Sequence, residues 1–180
     1  RRAGDVIPEV VTSIPERRSG SEIEWSLDKR CPCGDFDIVY VKDEKVPRCS
    51  GSYDCKISKK EMLIYFASKS GLDIEGLGRE TVETLIANKL VKNFEDFYSL
   101  TYEELISLPQ WKEKKTKNLL EAIEKSKNSE QEKLLPALGI RYVGKQTSKL
   151  LVNTFGSIKN IFDASSDEIN KIHGISESVS

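Results

Sequence analysis

Histidine and methionine are nearly absent from this chain, with one of each, His173 and Met62, in 180 residues. His173 lies far in sequence from every cysteine and reads as a loop residue rather than a metal ligand. No apolar run approaches the ~20 residues a membrane span requires, which excludes a membrane partner. No signal peptide or other secretory cue points to an oxidising compartment, so a cytoplasmic location is expected. The formal net charge is only −1, so the total charge alone gives no sign of a nucleic-acid partner. The chain opens Arg1-Arg2-Ala3-Gly4 with no initiator, which reads as an excerpt from a longer protein. There are four cysteines, and none follows Cys55.

What is present is unevenly placed. Hydrophobic residues at 38% and charged residues at 32% describe a charge-covered, soluble chain, and 180 residues suit either one domain or a small metal module followed by a larger one. Residues 71–110 carry three basic against eight acidic residues, a net of −5, whereas residues 111–149 carry ten against five, a net of +5. A basic half beside an acidic half can concentrate phosphate on one face, although a lysine-rich helix is more often a solvated surface.

Cys31, Cys33, Cys49 and Cys55 form two close pairs. Two sulfurs from each pair can reach one tetrahedral Zn²⁺, which needs Zn–S near ~2.3 Å and sulfurs about 3.8 Å apart. Asp37–Val41 and Lys45–Arg48 read as two short strands between the pairs, the order of a zinc ribbon or finger. Two disulfides would also suit an even cysteine count, and Cys31-Pro32-Cys33 has an unusually short spacing. A module this small has almost no apolar core, so its fold would depend on the ion.

From Lys59 onward, starting with Met62, Tyr65 and Phe66, apolar residues recur at helical spacing. Phe94, Phe97, Leu100, Thr101, Glu104, Leu105 and Leu108 reappear 64 positions later as Ile158, Ile161, Ala164, Ser165, Glu168, Ile169 and Ile172. The match preserves Thr101-x-x-Glu104 and Ser165-x-x-Glu168, each a capping box, so two copies of one helical unit follow each other. Each unit contains two helix–turn–helix elements. Their turns are Gly76-Leu77-Gly78, Gln110-Trp111-Lys112, Val143-Gly144-Lys145 and Gly174-Ile175-Ser176.

A turn whose glycines lack a Cβ lets backbone N–H groups at a helix N-terminus approach a phosphate closely. The apolar middle residue anchors the hairpin underneath, and such contacts hold a nucleic-acid backbone without reading bases. One such turn is usually a plain tight connection; four at regular intervals point to phosphate-backbone binding. Gln110-Trp111-Lys112 has no glycine, so its approach to phosphate is expected to be less close, with Lys112, Lys114 and Lys115 adding side-chain charge. Trp111 occupies the anchor position and reads as core rather than as a base-stacking ring.

These motifs together resemble the C-terminal half of bacterial NAD-dependent DNA ligases. Arg2-Ala3-Gly4-Asp5-Val6-Ile7-Pro8 looks like the end of that family's OB-fold domain, and Cys31-Pro32-Cys33-Gly34 with Arg48-Cys49 and Cys55 resembles its zinc finger. Leu138-Gly139-Ile140-Arg141-Tyr142-Val143-Gly144 and Asn118-Leu119-Leu120-Glu121-Ala122-Ile123 look like its hairpin segments.

The resemblance implies a mainly α chain with a small β-containing four-cysteine zinc module. Residues 1–24 would end the OB-fold domain, 25–58 form the zinc finger, and 59–180 form the helix-hairpin-helix domain with its fourth motif truncated. It also implies a monomeric parent that seals nicked duplex DNA in replication and repair, using NAD⁺ and Mg²⁺. The adenylating domain would lie before Arg1, so no catalytic residue is assigned here. Two other readings compete: a non-enzymatic DNA-binding module of a nuclease or recombination complex, and a helix-hairpin-helix glycosylase, for which no second subdomain is present to build a base pocket.

Overall fold

The computed structural model describes residues 11–41, 45–175 and 179. The strand expected around Val6, Ile7 and Val10 lies outside them. Residues 11–29 are exposed and carry no helix or strand apart from a 3₁₀ turn at Pro15–Arg17.

The architecture is mainly α, with one two-stranded sheet among the described residues. That sheet is smaller than the alternation suggests: β1 (Ile38–Val39) pairs antiparallel with β2 (Arg48–Cys49), Ile38 opposite Cys49 and Val39 opposite Arg48. Tyr40, Val41, Lys45, Val46 and Pro47 fall outside the ladder. The ladder ends at the Val39–Arg48 pair. An isolated antiparallel bridge joins Arg30 to Asp37 on the other side of β1.

α1 (Lys56–Ala67) follows directly, burying Leu63, Phe66 and Ala67. That face is offset from the one Met62 and Tyr65 suggested, and Tyr65 is exposed. α2 (Arg79–Ala87), a 3₁₀ segment (Phe94–Ser99), α3 (Tyr102–Ile106) and α4 (Glu113–Ser126) complete the first helical unit. Its core gathers Phe66, Val82, Leu85, Phe97, Leu105, Trp111 and Leu119, with the Phe66 and Phe97 rings stacked at 6.1 Å. α5 (Leu134–Ala137), α6 (Lys145–Phe155), α7 (Ile158–Asp163) and α8 (Ser166–Asn170) form the second unit around Leu135, Val143, Leu151 and Ile161.

The 64-residue repeat is visible in both packing and caps. Phe97 and Ile161 are each buried, and the Thr101–Glu104 and Ser165–Glu168 boxes are both closed. Asn93 and Ser157, also 64 apart, begin the preceding helical turns, Asn93 in a capping box with Asp96 and Ser157 accepting from the Asn160 N–H. One difference separates the copies: Phe94–Ser99 winds as 3₁₀ while Ile158–Asp163 is α. A shorter period runs through α2, α4 and α6. Val82, Thr116 and Ser148 occupy the same first-turn position and are all fully buried, and Leu85, Leu119 and Leu151 follow three residues later in each.

Candidate metal centre and nucleic-acid interface

The four thiols meet in one place. Every Sγ of Cys31, Cys33, Cys49 and Cys55 lies within 4.8 Å of the others, and three of the residues are buried. The Cys31 and Cys55 sulfurs are 3.9 Å apart, close to the edge of a ZnS₄ tetrahedron and far beyond the ~2.05 Å of a disulfide. The short Cys31–Cys33 spacing is accommodated by a tight turn. Gly34 N–H donates to Cys31 O at 2.9 Å, Gly34 takes φ +87°, and Cys31 N–H reaches back to Phe36 O.

Cys55 comes from a different element. It is the N-cap of α1 and accepts from the Ser58 N–H at 3.5 Å. Burial disfavours its thiolate, but bonds from the Ser58 backbone and side chain, the Cys49 thiol and the Ile57 N–H outweigh that, and the thiol is lowered to about 6. Cys31 accepts help from the Cys33 N–H, yet burial and the three neighbouring sulfurs push it up to about 12. Burial also pushes the Cys49 thiol up, and a divalent cation would offset the charge that clustered thiolates bring together. An all-sulfur, oxygen-free donor set at this separation suits a soft or borderline tetrahedral metal ion.

The hairpin turns share one backbone. In Gly76-Leu77-Gly78 and Gln110-Trp111-Lys112, as in Tyr142-Val143-Gly144 and Gly174-Ile175, the first residue is left-handed, with φ of +88°, +66°, +60° and +94°. The middle N–H donates to the carbonyl three residues back in all four, at 3.1 Å to Ile74, 3.2 Å to Leu108, 3.2 Å to Ile140 and 3.1 Å to Ile172. Leu77, Trp111 and Val143 are buried and Ile175 is half-buried, each resting on its unit's core. Ser176 lies outside the described residues.

The second hairpin keeps the shared turn without glycine: Gln110 takes the left-handed φ at some strain, and the turn closes as in the others. The third turn begins one residue earlier than Val143, at Tyr142. The signal that identifies Tyr142 is its place two residues after the acceptor Ile140, matching Gly76 after Ile74. Lys145 is then the first residue of α6, as Arg79 is of α2 and Glu113 of α4.

The third turn position is the N-cap of the following helix. Gly78, Lys112 and Gly144 all have extended backbone, and none makes a side-chain cap bond to the first turn of α2, α4 or α6. Of the other described α-helices, α1, α3, α7 and α8 are capped by Cys55, Thr101, Ser157 and Ser165, which accept from their first turns, while the four-residue α5 has no side-chain cap. An ideal Cβ at Gly78 or Gly144 would meet nothing within 4 Å, so internal packing does not demand glycine at either.

The first two hairpins open onto a common groove of about 1570 Å³. It is lined by Gly76, Gly78, Gln110 and Lys112, with Lys114, Lys115 and Lys125 along its α4 wall. Lys115 Nζ lies 4.2 Å from the centroid of the Trp111 ring, which is only 8% exposed and so is an anchor rather than a stacking platform. The cations differ in freedom. Arg79 makes two bonds to Glu61, at 2.7 and 2.8 Å, which hold the Glu61 carboxyl below its usual range. His173 is exposed, outside the cysteine cluster.

Among the described residues no helix is long and apolar enough to cross a membrane. A helix-hairpin-helix motif family matches residues 133–180, the stretch holding the third and fourth hairpins. Over 177 residues the chain is 40% identical to a DNA ligase of Anoxybacillus flavithermus, covering 98% of this chain and 26% of that protein. DNA ligases of Geobacter sulfurreducens and Geobacter metallireducens are 42% and 43% identical over 179 residues, covering 99% of this chain and 26% of each. The chain therefore spans about a quarter of the length of these relatives, and over nearly all of its own length it is similar to DNA ligases.

Proposed function

We propose that this segment grips duplex DNA by its phosphates within an NAD-dependent ligase that seals nicks in replication and repair. The carrying observation is the contrast in caps. The three helices that follow a described hairpin begin at residues that make no side-chain cap, as does the four-residue α5, while α1, α3, α7 and α8 begin capped. Unfilled N–H groups at a helix start, with the positive end of the helix dipole behind them, favour a phosphate oxygen.

In this reading Gly76, Leu77 and Gly78, then Gln110, Trp111 and Lys112, then Val143, Gly144 and Lys145, and finally Gly174, Ile175 and Ser176 form four backbone clamps. Lys112, Lys114 and Lys115 add side-chain charge in the shared groove. Zn²⁺ is held by Cys31, Cys33, Cys49 and Cys55. Because Cys55 also starts α1, the ion ties the small sheet to the first hairpin's leading helix. NAD⁺ and Mg²⁺ serve adenylation elsewhere in the parent. No lysine here stands in an adenylation motif, so the segment holds DNA without reacting with it, as part of a monomeric cytoplasmic enzyme.

The test is equilibrium binding of the purified chain to duplexes of unrelated sequence across a salt series. Similar affinities that fall steeply with salt are expected, with no lysine–AMP adduct when NAD⁺ and Mg²⁺ are supplied. Absence of binding at low salt, or an adduct on any lysine of this chain, overturns the reading.

A further inference from the structure

Arg79 stands at the first position of α2, directly after Gly78, where a cation opposes the positive end of the helix dipole. Lys145 takes the same place in α6, so two of the three helices that follow a described hairpin begin on a cation. Such a start favours a nearby anion, and for α2 another helix supplies it. Glu61 of α1 receives both arms of the Arg79 guanidinium, Nη1 at 2.7 Å and Nη2 at 2.8 Å. Two carboxylate oxygens facing two N–H donors present the same fork that a phosphate presents to arginine.

This pair can open at little cost. About half of each side chain is exposed, and solvent-exposed ion pairs are weak. Its surroundings strand no carboxylate when Arg79 turns away. Lys60 Nζ lies 3.0 Å from Glu83 Oε1, and Glu83 is itself 3.8 Å from Arg79. The Glu61 carboxyl, held below its usual range first by Arg79, also feels the Lys60 charge. The approach to the hairpin is open as well, since a Cβ added at Gly78 would meet nothing within 4 Å.

We propose that Glu61 is a resident stand-in for a DNA phosphate: it holds Arg79 while no DNA is bound and yields it to the phosphate that meets the N–H groups after Gly78. This rests on the reading of Gly76-Leu77-Gly78 as a phosphate clamp and adds its regulation. Binding at the first hairpin is then an exchange of one anion for another, in which Glu61 lowers duplex affinity and Arg79 raises it.

Fluorescence anisotropy with duplex DNA, on this chain and four variants, tests the exchange. Glu61→Gln keeps the shape of the side chain and removes its charge. It is expected to raise affinity about two- to fivefold, the range a surface ion pair supplies. Arg79→Gln should lower affinity and make the salt dependence shallower by about one phosphate contact. Adding Glu61→Gln to Arg79→Gln should then gain nothing, because no arginine is left to release. A gain that persists in that double variant means Glu61 only repels DNA at a distance, and overturns the exchange. Weaker binding by Glu61→Gln, with a lower melting temperature in both single variants, means the pair only braces α1 against α2 and overturns it too. So does unchanged affinity in Glu61→Gln. Gly78→Val separates the two readings. If it weakens binding while Glu61→Gln and Arg79→Gln leave it unchanged, the clamp stands and the exchange falls; if it binds as the parent does, both fall.

Discussion

Replacing Gly78 with valine places branched carbon where a phosphate oxygen would sit, and it does so without an internal clash. Gly78 has φ −69° and ψ 169°, ordinary extended backbone for any residue, and an added Cβ meets nothing within 4 Å. The fold should lose only the difference between glycine and valine at an N-cap, about 1 kcal/mol. The loss in binding should be larger. A charge-assisted N–H to phosphate bond contributes roughly 1.5–3 kcal/mol, so losing one weakens duplex affinity by about 10- to 150-fold. Fluorescence anisotropy with two duplexes of unrelated sequence should show the same ratio for both, because phosphates carry no base information. Circular dichroism and a melting curve establish that the variant is folded. A folded Gly78→Val chain that binds duplex as tightly as the parent refutes the claim that the first hairpin is a phosphate clamp.

Four further outcomes are expected. Lys112→Ala removes side-chain charge but no N–H, so log–log plots of affinity against salt should become shallower by about one phosphate's worth, with helix content unchanged. Metal analysis should find about one zinc per chain; protons compete for the thiolates, so acid titration should release it, and finding disulfides among the cysteines would defeat the assignment. Thr116→Val should stabilise the first unit by about 1 kcal/mol in chemical denaturation, because the Thr116 hydroxyl is buried with no partner while Val82 fills the equivalent place in α2. Asp96 accepts from the Asn93 and Lys92 N–H groups, which lowers its carboxyl below the ordinary range. Its contribution is therefore present above pH ~4 and lost as pH falls through the depressed value, and Asp96→Asn should flatten that part of the stability–pH curve.

Much of the interface was legible in one dimension because its elements are local. A capping box spans four residues, and Thr101–Glu104 and Ser165–Glu168 announce helix starts from composition alone. The hairpins declare themselves by an apolar residue between turn residues at a repeating interval, and the cysteine pairs by chemistry that few other roles require.

What the residues alone could not decide were matters of conformation and company. Nothing in Gln110 states that it adopts a left-handed backbone, since that strain is tolerated only because Trp111 and Leu108 lock the turn from below. Tyr142 joined the third turn only once the Ile140 carbonyl was seen to accept from Val143 N–H. The sheet proved shorter than its alternation, pairing only Ile38–Val39 with Arg48–Cys49, because alternation shows which face a residue can take and not how far a partner strand runs alongside it. The missing side-chain caps of α2, α4 and α6 follow from residue type, since glycine has no side chain and lysine no acceptor, but only the packed chain shows that Gly78, Lys112 and Gly144 are the residues at which those helices begin.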